Sequence, residues 1–197
     1  LVKEFTLVGN GQFPWGRDEV YHLEKDNQYL AGTAEVPVTA YFSNETLLEK
    51  DLPKKFVAFS PCFRREAGSY GKDTRGIIRA HQFDKVEMVT FVEKGKDDEE
   101  QEYLLSLEEK LLQTLDIPYQ VVKMCTGDLG FPTARKYDIE IWMPSQEKYR
   151  ETHSASTNTD FQARRLNIKY QKGNEKPYVH ILNATAFAIG RTLIAIM

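Results

Sequence analysis

The sequence is poor in the residues that staple small proteins or hold metals: its 197 residues include only 2 Cys and 4 His. Two thiols cannot build a disulfide framework or a four-thiolate zinc site, so a reducing compartment is the default expectation. Cys62 and Cys125 read as buried free thiols. His22, His81, His153 and His180 lack close metal-ligand spacing and are expected to play ordinary strand roles. Net charge is scarce as well. The 26 Lys plus Arg nearly cancel the 29 Asp plus Glu, leaving −3, so any contact with nucleic acid must come from where the charges sit. The apolar run from Ala186 to Met197 is shorter than the ~20 residues that span a bilayer, so no membrane partner is expected. No internal repeat or low-complexity stretch is visible. A chain that is 41% hydrophobic and 28% charged should fold, and its length suits one domain of roughly 100–200 residues. It opens on Leu1 without an initiator Met and stops at Met197 inside an apolar run, which reads as a piece of a longer protein.

Short strands are expected at Val20 to Leu23 and Tyr29 to Gly32, around the turn Lys25-Asp26-Asn27, with Thr33 as N-cap of a helix starting near Glu35. Phe56 to Glu66 and His81 to Glu93 read as two long strands of an antiparallel hairpin. Glycines 68, 71 and 76 mark the loop between them. Asp97 to Leu115 is the clearest helix, with Leu104, Leu107, Leu111 and Leu115 at helical spacing and acids in its first turns. Further strands are expected at Tyr119 to Met124, Tyr137 to Trp142 and Tyr178 to Leu182, a short helix at Phe161 to Ile168, and an apolar helix from Ala186. Strands joined by short turns favour an α+β fold, a mostly antiparallel sheet flanked by helices.

Charge is unevenly spread. From Arg64 to Arg79 five basic residues face two acids, and from Glu93 to Glu109 eight acids face two lysines. The acidic helix is most simply a solvated face. In the basic segment, an extended strand would put Arg64 and Glu66 on one side and Arg65 on the other. Arg191 is the only charged residue between Ala186 and Met197. A cation among apolar residues needs an anionic partner, from the protein or from a ligand.

Four strings then fall in order. Phe63-Arg64-Arg65-Glu66-Ala67-Gly68, with Asp73-Thr74-Arg75-Gly76-Ile77-Ile78-Arg79 and His81-Gln82-Phe83-Asp84-Lys85-Val86-Glu87, resembles motif 2 of the seryl-tRNA synthetases, which are class II aminoacyl-tRNA synthetases. Thr33-Ala34-Glu35 resembles that family's serine-contacting tripeptide. Thr159 to Arg165 resembles the segment after its ATP-contacting strand. Leu182-Asn183-Ala184-Thr185 with Gly190-Arg191-Thr192 resembles motif 3. The likeness is to the bacterial type and covers nearly the whole chain as part of a catalytic domain.

The resemblance implies a six- to seven-stranded antiparallel fold and a ligase that makes seryl-adenylate from serine and ATP, then esterifies serine tRNA, with selenocysteine tRNA as a further acceptor. It implies that Arg64 bridges the α-phosphate and the serine carboxylate and that Arg191 meets the γ-phosphate, as the two catalytic residues. Serine would contact Thr33, Ala34, Glu35, Arg64, Glu87, Asn183 and Thr185. ATP would contact Arg64, Arg65, Glu66, Glu151, Thr152, His153, Ser154 and Arg191. Glu151 would face the Mg²⁺ that accompanies ATP, and Lys72 and Arg75 would reach the tRNA. Asn183-Ala184-Thr185 departs from the Asn-Gly-Ser of many relatives but keeps a hydroxyl. Motif 1 and the N-terminal tRNA-binding arm are not in this chain, and the full-length protein is expected to be a cytoplasmic homodimer, an organellar form being open. Two other functions share these strings, an amino acid:carrier-protein ligase and a non-catalytic RNA-binding or regulatory homologue.

Overall fold

A computed structural model describes residues 1–68 and 76–197. The elements run α1 (Glu4–Asn10), β1 (His22–Leu23), β2 (Gln28–Tyr29), α2 (Glu35–Thr39), β3 (Thr46–Leu48), β4 (Lys54–Phe63) and β5 (Gln82–Val92). Then come α3 (Asp97–Thr114), β6 (Tyr119–Lys123), β7 (Arg135–Met143), β8 (Lys148–Thr157), α4 (Phe161–Leu166), β9 (Lys169–Gln171), β10 (His180–Ala188) and α5 (Ile189–Ile196). Six strands form one antiparallel sheet in the order β4-β5-β10-β8-β7-β6. The α+β expectation holds. None of the described helices is long and apolar enough to cross a membrane.

Each sheet face buries its own layer, because successive side chains of a strand point to opposite sides. Met88 and Val92 of β5 and Leu182 and Ala184 of β10 pack against Leu104, Leu105 and Leu112 of α3. Val89, Phe91 and Ile181 face the other way, toward Phe42, Ala163, Leu166 and Ile168. Large aliphatic side chains buried this completely contribute about 1.5–3 kcal/mol each. A smaller cluster of Val2, Leu7, Phe13, Val20, Tyr29 and Val36 holds α1, the β1–β2 hairpin and α2 together beside the second face.

Five expectations change in detail. The β4 strand stops at Phe63, not Glu66. The Arg64 N–H turns to the His81 carbonyl, the Arg65 N–H to the Glu19 carbonyl, and Glu66 adopts φ 54°, so Arg64 and Glu66 do not share a strand face. The strand expected to end at Leu182 runs to Ala188, and the last helix starts at Ile189 rather than Ala186. An apolar run has no periodicity to separate a buried strand from a buried helix. The buried face of α3 is Gln101, Leu104, Leu105, Glu108 and Leu112, while Leu115 is 40% exposed. Polar residues on that face hide it from a hydrophobic pattern. The cap of α2 is Ala34, one residue beyond Thr33. Cys62 is buried, but Cys125 is exposed in the loop after β6. Four elements had no counterpart in the periodicity: α1, with only 7 residues, the three-residue strands β3 and β9, and β8, whose Thr- and Ser-rich face is buried by hydroxyls rather than hydrocarbon.

Candidate active site

Strands β5 and β10 lie side by side at the centre of the sheet, and their second face carries the polar residues. Phe83, Lys85 and Glu87 alternate onto it from β5, and Asn183 and Thr185 from β10, with Thr185 directly across from Glu87. The start of α2 covers this patch with Thr33, Ala34 and Glu35. The Thr33 hydroxyl accepts from the Glu35 backbone N–H at 3.3 Å and from Lys85 Nζ at 3.4 Å. Lys85 Nζ also lies 2.5 Å from Glu87 Oε2.

Carboxylates at this end are desolvated. Glu87 is 1% exposed, and burial, aided by the nearby Glu35 charge, pushes its pKa up to about 7 against the pull of Lys85 and Arg64. Burial also raises Glu35, whose carboxylate accepts from Gln162 Nε2 at 2.8 Å. Under the sheet, Glu108 of α3 is fully buried and raised well above the carboxylate range, by burial first and the Glu87 charge second.

The other end is a solvent-open cleft between the β5–β10–β8 floor, the start of α5 and the turn Gly76–Ile78. Gly190 permits that approach, since a Cβ there would sit 3.1 Å from the Ile77 carbonyl oxygen. Arg64 crosses into the cleft, its Nε donating to the Gly32 carbonyl at 3.2 Å and its guanidinium 5.2 Å from the centre of the Phe83 ring. Arg79 pairs with Glu66 at 2.5 Å. Arg191 donates from Nε to the Ile78 carbonyl at 3.2 Å and from Nη1 to the Glu151 carbonyl at 2.6 Å. The carboxylate of Glu151 stands 3.9 Å away and is half exposed. Burial lowers the Arg191 pKa below that of a free guanidinium. Two carbonyls thus hold the cation in place without neutralising it.

Of the residues singled out in the sequence, Arg64, Glu66, Glu151, Thr152, Ser154, Thr185 and Arg191 line this cleft. Thr33, Ala34, Glu35, Glu87 and Asn183 lie behind it around Lys85, with Ala34 2% and Asn183 8% exposed. Arg65 turns out toward the Tyr21 ring, 5.6 Å from its centre. His153 is 1% exposed and bonds inside the sheet, away from the cleft where the resemblance placed it. Lys72 and Arg75 lie outside the described residues. Sequence reasoning missed Lys85, Arg79 and Gln162. For Lys85 a signal existed: two residues before Glu87 on a strand, it has to share that residue's face. Among the described residues no three His, Cys, Asp or Glu side chains come together to hold a metal.

Residues 20–197 match the family described as tRNA synthetase class II core domain (G, H, P, S and T). The whole chain is 52% identical to a serine–tRNA ligase of Bdellovibrio bacteriovorus and 54% identical to one of Thermotoga neapolitana, covering 46% and 47% of those proteins. It superposes on a Pyrococcus horikoshii seryl-tRNA synthetase solved with ATP, with a TM-score of 0.95 and 48% identity over 98% of this chain and 44% of that one. A Naegleria fowleri cytoplasmic serine–tRNA ligase solved with AMP superposes with a TM-score of 0.91 and 36% identity over 98% of this chain and 47% of that one. The chain therefore spans just under half the length of the relatives it matches.

Proposed function

The chain belongs to the class II tRNA synthetase core family, and on that footing we propose that the protein it comes from is a serine–tRNA ligase whose adenylation centre is the two-ended cleft described above. One observation carries the reading: Arg191, held by two carbonyls and only loosely paired with the half-exposed Glu151 carboxylate at 3.9 Å, faces a cleft that also holds Arg64. Arg carries five N–H donors, and the carbonyl bonds use two of them. The rest suit a polyphosphate.

In the proposed reaction a serine carboxylate oxygen attacks the α-phosphorus of ATP, the bond to the bridging oxygen breaks, and pyrophosphate leaves. A ribose hydroxyl of the tRNA terminus then attacks the seryl carbonyl and AMP departs. Such chemistry needs positioning and charge neutralisation more than a protein nucleophile. Arg64 stands at the junction of the two ends, suited to bridge carboxylate and α-phosphate with its planar fork. Arg191 takes the γ-phosphate. Glu66, Thr152 and Ser154 border the nucleotide. Ala34 and Asn183 shape the serine end, and Glu35 fixes its wall through Gln162.

At the serine end Lys85 already occupies the space between Thr33 and Glu87 where a substrate ammonium would bind. Serine must share Glu87 with Lys85 or displace it. The Thr185 hydroxyl, across from Glu87, reads the substrate hydroxyl. Alanine would leave these buried groups unpaired, which is the strong form of discrimination. Glu151 is one half-exposed carboxylate, and that fits Mg²⁺, which keeps phosphate and water ligands instead of entering a protein cage. Magnesium would offset phosphate charge there. Lys72 and Arg75 remain assigned to tRNA, and a cytoplasmic homodimer is the assembly expected.

The test is ATP–pyrophosphate exchange by the full-length protein. Serine should support exchange and alanine far less. Equal exchange with both, or none with serine, contradicts the reading.

A further inference from the structure

Beneath the junction of the two ends, strands β8 and β10 part. They pair from Leu182↔Thr157 to Ala184↔Ala155 and no further, although β10 continues to Ala188 and β8 extends back to Lys148. At the same point β10 bulges against β5, between Thr185 and Phe187. Thr185 and Ala186 have therefore both left the β8 ladder, and Ala186 is also bulged out of the β5 ladder, while the two residues are only 3% and 6% exposed. A buried backbone group left unpaired costs about 1–3 kcal/mol, so something must replace the ladder there.

One side chain outside the cleft does so, and a second approaches the segment. His153 of β8 places Nε2 3.0 Å from the Ala186 carbonyl oxygen. A carbonyl only accepts, so Nε2 carries the proton. Nδ1, 2.7 Å from Thr152 Oγ1, then accepts from that hydroxyl. Burial drives the ring's pKa down to about 4, which keeps it in this neutral tautomer. On the same α3 side of the sheet, Glu108 lies near the Thr185 backbone N–H, yet neither of its carboxyl oxygens has a hydrogen-bond partner. Burial raises its pKa well above the carboxylate range, and both oxygens keep hydrogen-bonding capacity to spare. One peptide segment is thus bonded at its carbonyl side by His153 and approached at its N–H side by Glu108.

We propose that His153 and Glu108 are positioning residues that fix the Thr185–Ala186 segment from inside the sheet, and so hold the Thr185 hydroxyl where it selects a hydroxyl-bearing amino acid. The proposal rests on the serine-activating reading above. Hydroxyl recognition is sharp only when the partner group is held to a fraction of an ångström. A side chain presented from a bulge between parting strands has no ladder to supply that rigidity. Neither residue needs to touch substrate.

The test uses the full-length protein and measures exchange kinetics with serine and with alanine. The amide nitrogen of Gln can reach the place of imidazole Nε2, whereas that of Asn falls nearer Nδ1 and cannot meet the Ala186 carbonyl. His153→Asn should raise the KM for serine about tenfold and lower the serine-to-alanine ratio of kcat/KM by a similar factor, with the KM for ATP within about twofold. His153→Gln should restore most of the ratio. Glu108→Gln, which keeps the shape and an acceptor oxygen, should behave like the parent, and Glu108→Ala like His153→Asn. If an Asn or Ala variant does not fold, its Gln counterpart and the remaining pair still decide. Lower activity with an unchanged serine-to-alanine ratio, or equal loss in the Gln and Asn variants, overturns the proposal. Absence of serine-dependent exchange in the unmutated protein refutes the serine reading instead.

Discussion

The two ends of the cleft solve opposite electrostatic problems. At the inner end Lys85 lies 2.5 Å from Glu87, 1% exposed, so these two charges answer each other within the protein before a substrate arrives. At the outer end Arg191 is anchored by carbonyls, with Glu151 at 3.9 Å, and Arg64 is steadied by the Gly32 carbonyl and the Phe83 ring. One end is closed and desolvated. The other is open and holds cations ready for an anion. Burial separates the two roles: a small zwitterion is best read where unpaired polar groups are costly, while a polyphosphate needs charge that stays uncommitted.

The comparison breaks most visibly at Arg191. Arg191→Ala in the full-length protein should lower exchange about 10²–10³-fold, an effect of about 3–4 kcal/mol by analogy with removal of one transition-state donor. Its melting temperature should stay within a few degrees, because no buried carboxylate loses a close partner. Arg191→Lys should recover only part, since the charge stays and the fork is lost. Early melting with ATP affinity intact would make Arg191 a structural residue.

Glu87→Gln addresses the inner end. The KM for serine should rise at least about tenfold while ATP affinity holds, as for loss of one charge-assisted contact. Unchanged serine dependence would remove Glu87 from the site. The same residue titrates near its working range. A cation brought to Glu87 favours its charged form, so serine binding near pH 7 should release roughly half a proton from a group with pKa about 7. Calorimetry in buffers of differing ionisation heat measures that release, and the Gln variant should lose it.

Stability should show the same pair of signs. Glu87 is raised, so folding favours its protonated form and loses stability as pH rises from about 4.5 to about 7. His153 is lowered, to about 4, so folding favours its neutral form and gains stability as pH rises from about 4 to about 6.5. The two slopes oppose. Thermal melts across that window should tilt upward with pH in Glu87→Gln and downward in His153→Gln, relative to the parent. Parallel curves in all three would contradict the burial assigned to both groups. The smallest expected effect belongs to Lys72→Ala with Arg75→Ala: a severalfold loss of tRNA charging that shrinks as salt rises, with adenylate formation nearly unchanged.

Much of this comparison was legible in the sequence, for reasons particular residues make plain. The β4–β5 hairpin and α3 announced themselves through alternation and helical spacing, and Arg191 through its isolation in an apolar run. What stayed hidden was polar burial. Glu108 and Gln101 occupy the inner face of α3 and shifted its apparent stripe onto Leu107, Leu111 and Leu115. The hydroxyls of β8 left a central strand without a hydrophobic signal. Contact order hid the rest: Lys85 meets Thr33 and Gln162 meets Glu35 across more than fifty residues of sequence, where no local pattern reaches.

The most direct test of a cleft with a selective inner end and a phosphate-binding outer end is a ligand that spans both. Titration of the full-length protein with a non-hydrolysable seryl-adenylate analogue, and with its alanyl counterpart, compares the ends in one experiment. The seryl analogue should bind at least about 100-fold more tightly, as expected for a site whose buried polar groups pair only with a substrate hydroxyl. Equal affinity for the two would contradict the division of the cleft.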